Sequence, residues 1–263
     1  IAVDKDGSFE IFVDPNSSKG KKNHIQTSAG AKEFYIRDTM IDWLNDRPNL
    51  LDIEIIPSSR ADNKQDAKIR LEIVKNYMHK WAANTTRWNQ QALSKPVNEF
   101  SFKIDRDTDG ALRNQVYLLG HFALPSFDHC IKLDVFLDGA KYFIAPITNI
   151  WGTTNNIVSR NGSLNNAQSK INADGTYTFI LSVNDPGNFN WLDPSNLTEG
   201  ILTLRWSGFP NEVVGQNLYV KSTLMLTRDA LKEVDENHKT SSKERESQLK
   251  QRRESYRWRT ELN

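Results

Sequence analysis

The chain has 263 residues, of which 38% are hydrophobic, 10% aromatic and 25% charged, so it can bury a sizeable core. Its 34 Lys and Arg against 33 Asp and Glu leave a formal charge of +1, without the cationic excess typical of nucleic-acid-binding proteins. One cysteine excludes an internal disulfide framework and a Cys-rich metal site, and no apolar run reaches membrane-spanning length. We therefore expect a soluble globular protein.

The first element is one half of an internal repeat. Residues 4–13 (DKDGSFEIFV) and 172–181 (NADGTYTFIL) both carry an Asp-Gly turn, a hydroxyl residue, an aromatic residue and an apolar run. The same shift of 168 residues places Arg37 on Arg205 without a gap, which predicts a duplicated β core. A strand-rich stretch precedes the second turn but not the first, so we expect an upstream segment that is missing here.

The rest of the first 57 residues is predicted to be mainly β. Residues 1–15 and 31–57 read as strands, joined by a loop at 16–30 rich in Ser, Lys, Gly and Asn. After Pro48, the apolar stretch at 50–56 (LLDIEII) predicts a mostly buried strand.

Residues 61–91 carry the clearest helical period. The apolar positions recur at steps of three and four and share one face: Ala67, Leu71, Val74, Met78, Trp81 and Trp88. Such a stripe is more typical of a core contact than of a ligand slot. We expect one long amphipathic helix that packs on the sheet through Leu71, Val74, Met78 and Trp81.

From residue 96 to 226, short β-rich runs alternate with turn signals such as Asp138-Gly139 and Pro186-Gly187, as in antiparallel sandwiches and barrels. Residues 228–260 are predicted to be mainly helical and charged, and Ser241 with Glu244 forms a candidate capping box. The predicted fold class is mainly β with added helices (α+β). It has an antiparallel β-sandwich or jelly-roll-like core with an internal pseudo-repeat, one long amphipathic helix and a charged C-terminal helix.

We divide the chain into a partial first β repeat (1–57), a helical insert (58–95), a second β repeat (96–226) and a C-terminal helical segment (227–263), integrated in one domain. The stripe of Leu249, Arg253 and Tyr256 on the last helix is too thin to hold it alone in water. We expect that helix to dock on its own β core; the alternative is docking on another chain.

Several of these segments carry a resemblance. The chain resembles the family catalogued as domain of unknown function 1214. The resemblance is carried by the opening DKDGSFEI, Tyr35-Ile36-Arg37 with Asp42-Trp43, Ser163-Leu164-Asn165, Gln168, Asp174-Gly175, residues 185–206 (DPGNFNWLDPSNLTEGILTLRW) and residues 248–253 (QLKQRR). The resemblance implies a mainly antiparallel β fold with added helices, and longer relatives with a further N-terminal segment. It implies no activity and no catalytic residues. Lys22-Asn23-His24 departs from the Asn-Trp-Leu that stands at 190–192 in the second copy.

Motifs for catalysis are absent from the sequence: there is no nucleophile elbow, zinc-protease motif, phosphate-binding loop or dinucleotide fingerprint. His129 and Cys130 are adjacent in a predicted strand, so their side chains point to opposite faces, and Cys130 reads as a small buried residue. Asp105, Asp107 and Asp109 before Gly110 match the opening of a calcium loop, but Val116 stands where the bidentate acid belongs. An acid-rich loop is the favoured interpretation, and a structural Ca²⁺ is the alternative; no other cofactor is expected.

The polar cluster that most resembles a binding site lies between 149 and 206. Amide, hydroxyl and guanidinium groups beside Trp suit a carbohydrate or amphipathic ligand. The candidate ligand-binding residues are Asn149, Trp151, Arg160, Ser163, Asn165, Gln168, Asn190, Trp191 and Arg205. In the competing and favoured interpretation, Asn165 and Asn190 satisfy turn backbone, Arg205 is structural, and Trp191 and Trp206 belong to the core.

Three classes of function remain open. A non-catalytic module that binds a small molecule, glycan or lipid head group is favoured. The alternatives are a structural or assembly subunit that binds a protein partner through the C-terminal helix, and a hydrolase or transferase with a dispersed site. Nucleic acid is not an expected partner.

Overall fold

The structure is a computed structural model, and it describes residues 1–31, 34–56, 67–100 and 115–257. The fold is mixed α+β and mostly β, with ten strands, a long helix and a C-terminal helix among these residues. By its internal contacts the chain divides into two compact units, Ile1–Thr39 and Met40–Asn263.

The first unit contains two short parallel strands, β1 (Phe12–Asp14) and β2 (His24–Gln26). Its Asp-Gly turn closes through hydrogen bonds from the Asp4 amide to the Ser8 carbonyl (2.8 Å) and from the Gly7 amide to the Asp4 carbonyl (3.0 Å). Gly7 has a φ of 89°, which is the left-handed conformation that glycine adopts without steric cost.

The second unit is built on two four-stranded sheets. One has the order β3-β9-β5-β6 and the other β10-β4-β7-β8, and every pair is antiparallel except β7–β8. The strands are β3 (Gln115–Ala123), β4 (His129–Phe136), β5 (Tyr142–Thr148), β6 (Ser163–Asn165), β7 (Tyr177–Ser182), β8 (Trp191–Leu192), β9 (Glu199–Ser207) and β10 (Tyr219–Leu226).

The two sheets face each other across one hydrophobic core, which makes the unit a β-sandwich. Burial alternates along β3 and β5, as the two-residue period of a strand with one buried face requires. Phe143 of β5 contacts Phe179 of β7 and Trp206 of β9, with ring centroids 5.6 and 5.1 Å apart. The predicted core position of Trp206 is therefore confirmed.

The second Asp-Gly turn leads into β7. The Asn172 amide donates to the Thr176 carbonyl (2.8 Å) and the Gly175 amide to the Asn172 carbonyl (3.0 Å). The parallel β7–β8 pair follows, closed by a connection of only eight residues, 183–190.

Helix α1 (Ala67–Leu93) confirms the predicted long helix, but the predicted packing is wrong. Leu71, Val74, Met78 and Trp81 are 67%, 53%, 65% and 65% exposed, and Trp88 is 58% exposed. Among the described residues, the C-terminal end of the helix contacts strands of the sandwich, and Ala92 is buried there. The periodicity identified one apolar face, but it does not indicate which surface that face contacts.

The residues after the helix fix its end. Lys95 donates from Nζ to the Leu119 carbonyl (2.9 Å). The Asn98 side chain exchanges two hydrogen bonds with the backbone of Ala123, at 2.8 and 2.7 Å. Helix α1 is thus joined to β3 at one end.

The strands predicted over residues 31–57 are absent from the described residues 34–56. Arg37 does not lie in a strand, unlike Arg205 in β9. Leu50, Ile53 and Ile55 are more than three-quarters exposed, so the buried strand predicted at 50–56 is also wrong. A continuous apolar run is not bound to be buried when no neighbouring strand pairs with it. In the predicted loop at 16–30, residues 24–26 form β2.

The C-terminal segment contains α2 (Thr227–Ala230) and α3 (Ser242–Arg257). The capping box of α3 is confirmed: the Ser241 amide donates to the Glu244 carboxylate (2.8 Å), and the Glu244 amide to Ser241 Oγ (3.3 Å). These hydrogen bonds hold the pKa of Glu244 below its ordinary value. None of the helices among the described residues combines the length and apolarity of a membrane span.

Candidate functional site

A cleft of about 250 Å³ opens at one side of the second unit. Its walls are the loop at 41–44, the segment from β6 to Lys170, and helix α3. Trp43 and Phe189 contribute aromatic surface, and Gln168 and Gln251 contribute side-chain amides.

Asn165 joins two of these walls. It is fully buried and caps a 3-10 turn at Asn166–Gln168, where its side chain accepts from the Gln168 amide (2.8 Å) and the Gln168 side chain accepts from the Asn165 amide (3.1 Å). Its Nδ2 also donates to the Ile41 carbonyl (2.8 Å). Because Asp46 accepts from the Ile41 and Asp42 amides, at 2.8 Å each, this loop is held at both ends.

Helix α3 forms the third wall and docks on its own sandwich, as expected. The buried Arg252 donates to the Ser163 carbonyl (2.7 Å), to Ser163 Oγ (2.9 Å) and to the Ile157 carbonyl. Its guanidinium also lies over the Trp43 ring, 4.9 Å from the centroid. Arginine rather than an apolar stripe thus holds the second half of the helix.

Arg245 has the same role one heptad earlier. It is 6% exposed and forms a bidentate pair with Asp185, at 2.8 and 3.2 Å, and it also donates to the Asn188 and Phe189 carbonyls. Leu249 and Tyr256 are half-buried, as the predicted stripe required, but Arg253 is exposed and does not belong to it.

The charged groups around the cleft are already engaged within the protein. Lys170 donates to the Asn237 carbonyl (2.7 Å) and lies over the Phe189 ring. The amide of Asn45 donates to Asp42 and holds the pKa of that carboxyl below its usual value. By contrast, the side-chain amide of Gln251 bonds to none of the described residues. What the cleft offers a ligand is therefore mainly neutral hydrogen bonding, because Arg252 and Lys170 already lie over the Trp43 and Phe189 rings.

The structure places the predicted site residues in several locations. Gln168 lines the cleft, and Ser163 and Asn165 are buried directly behind it. Arg160 lies elsewhere, paired with the buried carboxylate of Asp193 at 2.7 and 3.1 Å. Of the predicted set, only Gln168 thus faces the cleft.

Asn190 and Trp191 have structural roles. The fully buried Asn190 side chain accepts from the Lys170 amide (2.8 Å) and donates to the Lys170 and Thr178 carbonyls. Trp191 is 6% exposed and donates from Nε1 to the Ser182 carbonyl (2.9 Å). These contacts support the interpretation in which turn asparagines satisfy the backbone and Trp191 belongs to the core.

The remaining three residues lie away from the cleft lining. Asn149 accepts from the Trp151 and Thr153 amides, at 3.0 Å each, and Trp151 is 75% exposed. Arg205 lies 4.8 Å from the centroid of the Tyr117 ring, its cross-strand neighbour on β3, and its Nε has no hydrogen-bond partner within the described part of the chain. The structure therefore does not bring the predicted residues into one site.

Sequence reasoning missed Trp43, Gln248, Gln251 and Arg252 as cleft residues. All four fall in segments that carried the family resemblance, at 42–43 and 248–253, but they lie about 200 residues apart. Nothing in the local pattern indicates that a charged helix returns to a distant loop.

The candidate calcium ligands Asp105, Asp107 and Asp109 lie outside the described residues. Within the described residues, no group of three or more His, Cys, Asp or Glu side chains is placed to hold a metal ion. The geometry of Cys130 agrees with the sequence: it is fully buried on β4, whereas its neighbour His129 is half-buried and contacts Ser126 Oγ at 2.9 Å.

Comparison with known proteins adds information on the fold. The structure is similar to the crystal structure of an uncharacterised protein from Burkholderia cenocepacia, with a TM-score of 0.71 and 19% sequence identity over 87% of this chain. That match covers 63% of the Burkholderia chain, so the present chain spans less than two thirds of its length. A protein from Vibrio parahaemolyticus matches 42% of this chain and 31% of its own at 18% identity, with a TM-score of 0.33. Neither a model of a known protein family nor a curated protein matches the sequence. The comparisons therefore establish the fold of this chain.

Proposed function

We propose that this protein is a non-catalytic binding module, and that it binds a small neutral hydroxylated ligand, such as a mono- or disaccharide, in the cleft beside Trp43. The observation that carries the proposal is the cleft itself, about 250 Å³ between the 41–44 loop and α3. Its combination of partly apolar walls and side-chain amides matches a sugar, which presents apolar C–H groups and a ring of hydroxyls.

The charge distribution favours a neutral ligand over a phosphorylated head group. Lys170 and Arg252 are the cations of the lining, and both already donate to backbone carbonyls. An anionic ligand would have to compete with these internal hydrogen bonds. A sugar can use Gln168 Nε2 and the Gln251 amide without breaking a contact of the fold, because the capping hydrogen bond of Gln168 uses its Oε1.

A glycan array followed by calorimetry with the best hit tests this proposal. Ala167 is exposed at the cleft wall, so Ala167→Phe fills the cleft without removing a hydrogen bond. We expect saturable sugar binding by the parent protein and at least tenfold weaker binding by Ala167→Phe. Ala31→Phe, at an exposed position of the first unit, is the matched control and should bind normally.

Absence of any glycan ligand, or equal affinity in both variants, would contradict the proposal. If phosphocholine or inorganic phosphate bound the parent protein and no sugar displaced it, the cleft would instead be assigned to a charged head group.

We also propose that the two Asp-Gly turns mark an internal repeat. Supporting this, Asp4, Gly7 and Ser8 make the same backbone hydrogen bonds as Asn172, Gly175 and Thr176. Each turn also precedes a parallel strand pair closed by fewer than ten residues, whereas parallel pairs ordinarily need a crossover of about a dozen or more. The jelly-roll path and the relationship to domain of unknown function 1214 are proposals of the same kind, supported by the antiparallel sheets and the quoted motifs.

A further inference from the structure

Helix α1 carries apolar surface that the described residues do not cover. Every residue from Ala67 to Asn84 is exposed, over about 27 Å of helix at 1.5 Å per residue. An isolated helix is marginal in water even when its sequence favours helix formation. The exposed apolar face of α1 is therefore a candidate contact surface.

The apolar positions follow the repeat of a coiled coil. Steps of four and three alternate along the helix and define a and d positions of a heptad. Seven of these positions are apolar, namely Ala67, Leu71, Val74, Met78, Trp81, Trp88 and Ala92, and the eighth is the polar Thr85. A sustained a/d repeat is the signature of pairing with another helix.

We infer that α1 pairs with α1 of a second copy of this chain as an antiparallel coiled coil. The flanking e and g positions decide the orientation. In a parallel pair Arg70 faces Lys75 of the other chain, twice by symmetry, and like charges destabilise the interface. In the antiparallel pair Lys75 faces Ala82 and Arg70 faces Gln91, so no like charges meet.

The same alignment brings the large side chains into layers. Met78 packs against Trp81 of the second copy at the centre, and Leu71 against Trp88, so that thioether and aromatic surfaces meet. Ala92 is buried on its own sandwich, so the pair extends from Leu71 to Trp88. At the exposures given above, these side chains would bury on the order of 1,000 Å² in the dimer, near the lower bound for a specific interface.

Sedimentation velocity of the full chain tests the pairing. We expect a concentration-dependent dimer that Met78→Glu disrupts, because two carboxylates enter the central layers; its dissociation constant should rise roughly 100-fold or more. Ala83→Glu adds the same charge at an exposed position on the opposite face of α1 and should leave the dimer intact. Far-UV circular dichroism and the thermal transition of the sandwich show that both variants fold.

Disulfide trapping tests the orientation. A mixture of Lys75→Cys and Ala82→Cys chains should cross-link 75 to 82 in preference to either homodimer. A wild type that stays monomeric at 100 µM, or dimers that Met78→Glu leaves unchanged, would overturn the inference. It would also be overturned by monomers that bind anionic vesicles through Met78 and Trp81, which would assign this face to a membrane surface.

Discussion

Arg252 and Ser163 form the central contact between the C-terminal helix and the sandwich. The guanidinium donates to both the carbonyl and the hydroxyl of Ser163, and both residues are at least 95% buried. A charge this deep is stabilised by the acceptors that surround it, so removing either side leaves unpaired polar groups in the interior.

We predict that Arg252→Leu destabilises the protein by about 3 kcal/mol, because it leaves the Ser163 and Ile157 carbonyls without their donors. Urea unfolding at 25 °C measures the change. Arg253→Leu is the matched control; this neighbour is exposed, so it should change stability by less than about 0.5 kcal/mol. Equal effects of the two substitutions would show that Arg252 does not hold the helix.

Cys130 should be unreactive in the folded protein. Burial raises the pKa of its thiol to about 11, so at pH 8 only about one thiol in a thousand is the nucleophilic thiolate. Iodoacetamide should label it slowly in buffer and rapidly in 8 M urea, as mass spectrometry can follow. Labelling of the native protein at the rate of an exposed cysteine would refute the burial of this strand position.

Acid should destabilise the first unit by protonating Asp14. The Asn16 amide donates to its carboxylate (2.8 Å), as does Lys21 (3.2 Å), and they lower its pKa from 3.8 to about 2. Because the folded pKa lies below the unfolded one, the stabilisation is present at a pH well above 3.8 and is lost progressively as the pH falls through 3.8 and 2. A carbon-detected NMR titration gives the pKa directly.

Asp14→Asn should flatten the pH dependence of the unfolding free energy of the first unit between pH 4 and 2. Asp52→Asn, at an exposed position of the second unit, provides the control. A titration midpoint near 3.8 for Asp14 would rule out the hydrogen bonds that we describe.

Two glycines should respond differently to the same substitution. A methyl group on Gly200 would lie 2.5 Å from the Thr148 carbonyl oxygen and 2.8 Å from the Phe122 ring, so Gly200→Ala should cost roughly 2–4 kcal/mol through overpacking. Gly175 has open space but a φ of 84°, so Gly175→Ala should cost only about 1 kcal/mol, from backbone strain. Thermal unfolding of both variants compares the two losses of stability. A larger loss for Gly175→Ala than for Gly200→Ala would contradict the packing at β9.

The strands and the long helix could be predicted because their signals are local. Alternation along residues 115–123 and the three- and four-residue steps of 67–92 follow directly from strand and helix geometry. Burial was not predictable in the same way. The apolar residues of α1 and of 50–56 match a core pattern, yet both segments are exposed, since burial depends on which surfaces meet.

The cleft could not be predicted for a related reason. Arg245 and Arg252 look like solvated charges on a helix of polar residues, and their buried state depends on carbonyl acceptors 56 to 95 residues away in sequence. Conversely, Asn165 and Asn190 drew attention as ligand donors because their type suits hydrogen bonding, but the same property lets them satisfy the backbone.

The position of α3 has a consequence for biosynthesis. The ribosome completes the strands before it makes residues 242–257, at a rate of about 5–20 residues per second. The 26 residues that follow Leu226, where β10 ends, up to Arg252 take about one to five seconds to synthesise. Until the two arginines are in place, the carbonyls of Ile157, Ser163 and Asn188 lack the donors that later bind them. During that interval the chain should be most susceptible to proteases and to chaperone capture, and premature termination before Arg252 should prolong this vulnerability.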